Sequence, residues 1–186
     1  LVRDCERSVR EIISAQIAER PDVPREFARI LADDTIEVAY PILTRCEMLK
    51  DADLIEIIRN RAFEHQLAIA LRYDVSERVA GELVATGNRD VIVTLLENSD
   101  ARIARSTLAY LVDESKRVDS FQQPILRRQE LDPELAKKMF IWVSAAFRTH
   151  ILQRFKFDAE VLDELLSAAG IDGAERTMLE AAIDPA

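Results

Sequence analysis

The sequence predicts an all-α protein built from stacked antiparallel helix pairs. Glycine is rare, with four in 186 residues, and aromatics make up 6%. Turn punctuation for an all-β fold is therefore scarce, while abundant Ala, Leu, Ile, Glu and Arg favour helix. Apolar residues recur along most of the chain at helical spacing. A helix-opening pattern also recurs: Asp34-Thr35-Ile36-Glu37-Val38-Ala39, Val75-Ser76-Glu77-Arg78-Val79-Ala80, Asp100-Ala101-Arg102-Ile103-Ala104 and Asp132-Pro133-Glu134-Leu135-Ala136. Each copy offers a capping residue, a polar stretch, then a branched apolar residue followed by Ala. A recurring unit that cannot bury its own apolar face marks a helical stack.

The elements follow in order. Residues 2–20 read as one helix with Val9, Ile12, Ile13 and Ile17 on its apolar face, broken by Pro21 and Pro24. Pro24 suits the first turn of a second helix carrying Phe27, Ile30 and Leu31. Asp33 and Asp34 offer caps to a third, with Val38, Ala39, Ile42 and Leu43. Pro41 lies inside its pattern and either sits in the first turns or kinks it. Lys50-Asp51-Ala52-Asp53 opens a fourth, and Phe63–Leu71 forms a fifth. Val75–Ala85 follows, ended by Gly87-Asn88, and Asp90–Glu97 restarts the pattern. Asn98-Ser99-Asp100 turns into a helix with Ile103, Ala104, Leu108, Leu111 and Val112. Lys116–Gln123 is polar and reads as a loop or a weak helix, and Pro124-Ile125-Leu126 begins a short segment. Asp132-Pro133 starts a long helix through Phe155. Asp158 caps another, with Val161, Leu162, Leu165 and Leu166, and Ala174–Ile183 adds a last one.

The apolar–Ala pairs lie 41, 24 and 32 residues apart, which describes a degenerate array. Ala permits close approach of two helices while the branched residue fills the groove between them. Short pairs of this kind resemble HEAT-like repeats. The expected organisation is a repeat domain over 1–157 with a C-terminal helical cap over 158–186. The cap should dock through 158–170 on the preceding helix, near Trp142 or Phe147.

More specific stretches carry a family resemblance. They are Leu31-Ala32-Asp33-Asp34 with Glu37-Val38-Ala39 and Pro41-Ile42-Leu43, Leu49 to Leu54, and His65 with Ala68-Ile69-Ala70 and Arg72. Val91 with Leu95-Leu96 and Asn98, and Arg128 with Leu131, complete the set. Across roughly residues 25–155 the chain resembles the bacterial family known as domain of unknown function 2336. The resemblance implies a cytoplasmic helical repeat protein and no reaction. Residues 158–186 show no family pattern.

Cys5 and Cys46 are the only cysteines and form neither a disulfide framework nor a zinc cluster. Cys46 fits a core position. No apolar run approaches 18 residues, so no membrane span is expected, and the start has no signal-peptide core. Opening on Leu1 without methionine is consistent with a piece of a longer protein. The net charge of −9 disfavours general nucleic-acid affinity. A basic stretch from Arg127 to Lys156 precedes an acidic end, which suggests that the two pack together.

The expected function is a non-enzymatic protein-interaction scaffold in cytosolic bacterial regulation. Its surface candidates are Arg72, Arg78, Arg127, Arg128, Lys137 and Lys138, since a guanidinium can grip a partner's carboxylate. The first alternative is a helical stack that binds nucleic acid. The second is phosphotransfer through His65, because a free imidazole nitrogen is nucleophilic near neutral pH. A histidine bonded to a neighbouring turn is the simpler reading of His65. Asp33, Asp34, Asp51, Asp53, Asp74, Asp100 and Asn98 recur between helices and read as caps and turn braces. Trp142 reads as core, or as covered by the C-terminal helix. No cofactor motif or metal-ligand spacing is present.

Overall fold

The computed structural model describes residues 6–183. Cys5, the expected helix start at 2–5 and residues 184–186 lie outside the described residues. Thirteen α-helices and one 3-10 turn run through the described residues, with no strand among them. The chain forms two compact units, Leu1–Ala104 and Arg105–Ala186. Residues 158–186 thus belong to the second unit.

The first unit holds α1 (Arg7–Ile17), α2 (Arg25–Ala32), α3 (Ile36–Arg45), α4 (Asp51–Asn60), α5 (Phe63–Ala70), α6 (Glu77–Ala85) and α7 (Arg89–Glu97). Helices α1, α3, α5 and α7 pack each on the next, as α4 packs on α6. Helix α3 also packs on α2, α5 on α4, and α7 on α6. The second unit holds α8 (Arg105–Glu114), α9 (Gln122–Arg127), α10 (Pro133–Phe140), α11 (Ala145–Arg154), α12 (Ala159–Ala168) and α13 (Gly173–Ile183). There α8 packs on α10, α9 on α11, and α11 on α13.

The repeat register differs from the expected one. Each even-numbered helix is preceded, one residue before its cap, by an apolar residue: Val23, Leu49, Val75, Ile103, Leu131 and Phe157. These are spaced by 26, 26, 28, 28 and 26 residues. All but Phe157 are buried. The residue five further on is Ala28, Leu54, Ala80, Leu108 or Ala136, again buried. This pairing has the spacing of a hydrophobic staple, which fixes the angle at which the chain enters a helix. The apolar–Ala pair is no such marker. Thr35 with Val38-Ala39 opens α3, the second helix of a pair, whereas Ser76 with Val79-Ala80 opens α6, a first helix.

Three expectations are corrected here. Residues 101–104 are not helical. The Arg102 N–H donates to Val75 O at 2.9 Å, and Ile103 is buried before α8 begins at Arg105. The helix expected from Asp132 through Phe155 is two, broken at 141–144, where Val143 turns into the core. In α1, Val9 and Ile12 are exposed at 43% and 59%, and the buried side carries Ser14, with Ala18 buried just beyond the helix. The Ser14 hydroxyl donates to Val38 O at 2.5 Å, which satisfies that buried oxygen.

Other expectations hold. Cys46, Val38, Ala39, Val79, Ala80, Leu135 and Ala136 are buried. Pro41 lies within α3. Gly87 has φ 67°, a left-handed conformation that suits glycine just past a helix end. The docking expected through 158–170 is corrected. It is α13, not α12, that packs extensively on α11, with Arg148 Nη1 2.7 Å from Glu175 Oε1. Trp142 is half-buried; its Nε1–H donates to Ser115 Oγ at 3.2 Å and Lys116 lies 4.4 Å over its ring.

Ion pairs join the even-numbered helices. Arg25 forks onto Asp53 with both hydrogen bonds at 2.9 Å, and Asp53 Oδ2 also accepts from Lys50 N. Arg59 reaches Glu82, and Arg105 reaches Asp132. Burial alone would raise the Asp53 carboxyl. The Arg25 hydrogen bonds, the Lys50 N–H and the charges of Arg25 and Arg29 outweigh it and hold the carboxyl below its ordinary value. A carboxyl depressed in the fold stabilises it above the unfolded-state value, and that stability is lost as pH falls through the folded value. Asp53→Asn is therefore expected to lose about 1.5–3 kcal/mol, the range for hydrogen bonds to charged groups. The gap from the parent should be constant from pH 7 to about pH 4 and close below it. Urea melts across that range check this, and a gap that persists unchanged at pH 2 would assign the effect to something other than the carboxylate.

Candidate interaction surface

Backbone carbonyls at the ends of odd-numbered helices need partners, because the last turn of a helix leaves them without intrahelical donors. A ladder of long polar side chains supplies them. Arg72, two residues past α5, donates to Leu43 O at 2.9 Å and Cys46 O at 2.5 Å at the end of α3. Asn98, just past α7, donates to Ala70 O and Arg72 O, both at 2.8 Å. In the second unit Arg154 donates to Leu126 O and Arg128 O, both at 2.6 Å. Burial pushes the Arg72 guanidinium below its ordinary value, partly offset by surrounding acidic groups.

This ladder decides where several sequence candidates lie. Arg72 is 7% exposed and Arg128 is 4% exposed, so both are interior residues occupied in structure. Lys137 Nζ bonds Glu134 at 2.9 Å within its own helix. Arg78, Arg127 and Lys138 are exposed, on α6, α9 and α10 respectively. His65 is 7% exposed, and its Nε2 donates to Asp34 O at 2.9 Å. Its Nδ1 is buried without a hydrogen-bond partner. One ring nitrogen is thus buried and the other is engaged by a backbone carbonyl, which fits the reading of His65 as a histidine bonded to a neighbouring turn.

The caps expected of Asp33 and Asp34 at α3 are not made, since the N-cap there is Thr35 without a side-chain cap bond; both aspartates act as braces instead. Asp132 and Asp158 cap α10 and α12. Asp34 pairs with Arg10 at 2.6 Å and accepts from Thr35 N, while Asp33 pairs with Arg61. Asp74, with φ 56°, pairs with Arg102 at 3.1 Å. Among the described residues no three His, Cys, Asp or Glu side chains gather as a metal site. An open recess of about 570 Å³ is lined by Arg10, Asp33, Asp34, Arg61 and His65, whose charges are matched to one another. A cleft of about 310 Å³ in the second unit is lined by Lys137, Arg154, Phe155, Lys156 and Phe157. Its two phenyl rings lie 6.2 Å apart, with Arg154 over Phe155 and Lys137 over Phe157.

One surface was missed by sequence reasoning. In the first unit the fifth residue of α3, α5 and α7 is Tyr40, Leu67 and Val93 in turn. Tyr40 is 44% exposed, and Leu67 and Val93 are half-buried. On α1, Val9 and Ile12 are exposed, and Leu71, just past α5, is 51% exposed. The second residue of α3, α5 and α7 is acidic each time: Glu37, Glu64 and Asp90, all exposed. The signal lay in the recurrence of these positions, which is visible only once the 26-residue register is known.

No helix of the described residues is long and apolar enough to cross a membrane. No curated protein and no solved structure matches the chain. A family model described as "Uncharacterised protein conserved in bacteria (DUF2336)" matches residues 38–185. The match reaches through the C-terminal helices and so corrects the reading of 158–186 as outside the family pattern. The chain therefore belongs to this uncharacterised bacterial family, the one its sequence resembles.

Proposed function

We propose that the protein is a non-catalytic, protein-binding scaffold of the bacterial cytosol, with each unit a segment of HEAT-like α-solenoid. Helices that pack on the next-but-one element, in a 26–28-residue register, support the solenoid reading. The observation that carries the function is the partly exposed apolar row of Tyr40, Leu67 and Val93 on stacked helices, with Ile12 exposed on α1 beside them. Contiguous apolar surface rimmed by polar residues marks a site for another macromolecule.

A photo-crosslinking residue tests this when placed at Tyr40, with Glu56 of α4 as the comparison position. The expected result is discrete protein adducts from position 40 in cells and none from position 56. Absence of adducts at position 40, together with salt-sensitive binding of duplex DNA by the purified protein, would replace this reading with the nucleic-acid one.

A further inference from the structure

We infer that the partner segment is a basic amphipathic α-helix lying across α1, α3, α5 and α7; this rests on the scaffold reading above. Packed helices lie roughly 8–10 Å apart. Tyr40, Leu67 and Val93 occupy the same position on successive helices and so recur at about that interval. A helix rises about 1.5 Å per residue, so its apolar residues seven apart recur every ~10.5 Å. A ligand helix with apolar residues at i, i+7 and i+14 matches the row one for one, and a fourth reaches Ile12.

Width favours a helix over an extended strand. On α5 the apolar surface runs from Phe63 through Leu67 to Leu71, the first half-buried and the last exposed. Eight residues of helix span roughly 12 Å, close to the full diameter of an α-helix with its side chains. An extended chain would leave much of that width uncovered.

Charge selects the sign of the partner. Glu37, Glu64 and Asp90 form an acidic rail one turn from the row. Cations stand near its two ends: Arg7, which pairs with Glu11 and lies 3.8 Å from Glu37, and Arg89 at the start of α7. The unit as a whole has twenty acidic and fourteen basic residues within 1–104. A helix with Lys or Arg beside its apolar stripe would set cations against the rail, and an acidic helix would be repelled there.

The test is selection from a displayed library of helical peptides of unbiased composition on the intact protein. Enriched peptides are expected to carry Lys or Arg flanking apolar residues at seven-residue intervals. Their binding should fall at least tenfold in the Ile12→Asp/Tyr40→Asp variant, whose two positions are exposed. It should fall by a similar factor in Glu37→Lys/Glu64→Lys/Asp90→Lys, which keeps the apolar row; circular dichroism melts confirm that both variants fold. Enrichment of acidic peptides, no enrichment, or binding indifferent to both variants overturns the inference. Adducts at position 40 without basic-helix enrichment remove the partner class alone, whereas loss of both removes the scaffold reading as well.

Discussion

Replacing Arg72 with leucine is expected to destabilise the first unit by roughly 3 kcal/mol, within the range for removing one member of a buried charged network. The guanidinium is the donor for two carbonyls, Leu43 O and Cys46 O, at the end of α3. Leucine leaves both buried oxygens without that donor, at about 1–3 kcal/mol each. Part of the loss is returned because the variant no longer buries a charge. The cation also sits at a helix C-terminus, where the macrodipole favours it. Arg72→Lys keeps the charge but has no planar fork to span two oxygens, so it should recover only part of the loss. The expected fall in melting temperature for the leucine variant is roughly 6–12 °C, from about 2–4 °C per kcal/mol in a chain of this size. Hydrogen exchange should quicken first in the last turn of α3. A leucine variant that melts within 2 °C of the parent would show that the ladder contributes little.

Arg72 also marks where sequence reading stops. Its position after α5 is the place where a basic side chain on a stacked helix could serve either a partner or the neighbouring repeat. Composition cannot separate the two, because the decision lies in 26-residue contacts with carbonyls, which carry no sequence signal. Arg128 was ambiguous too: it is buried and pairs with Glu130, and burial of that loop carries no local signal. The helical elements themselves were legible, since caps, prolines and Gly87 punctuate a strong 3.6-residue periodicity. Two features hid the register. The apolar–Ala pair serves the third and fourth positions of both helix types, as Val38-Ala39 in α3 and Val79-Ala80 in α6 show. And the break at 141–144 within 133–155 carries no proline or glycine to betray it. Val23, Leu49, Val75, Ile103 and Leu131 were the better marker, but single apolar residues in loops attract no notice until their spacing is measured. The interaction row suffered likewise: Tyr40, Leu67 and Val93 are single residues in three separate helices, and nothing within one helix sets them apart.

Ala80→Glu is expected to have the largest effect of any single change considered. Ala80 is fully buried at the fourth position of α6, a helix that packs on α4, α5 and α7. Equivalent positions hold Ala28, Leu54, Leu108 and Ala136, so the site is apolar in every repeat. A glutamate there must either bury its charge, at several kcal/mol after relaxation, or push α6 outward. The added volume imposes about 1–3 kcal/mol of overpacking on top. A loss above about 4 kcal/mol follows, a large share of the roughly 5–15 kcal/mol that holds a typical domain. The melting temperature should drop by more than about 8 °C. Two controls divide the effect. Ala80→Gly removes one methyl and lowers helix propensity, at about 1 kcal/mol. Ala80→Leu adds volume without charge, and Leu54 and Leu108 show that the repeat accepts leucine at this position, so its loss should fall between the two. The order Gly, Leu, Glu in rising severity is the expected result. A glutamate variant no less stable than the leucine variant would mean that the position opens to solvent, and the 26-residue register would then be misplaced at α6.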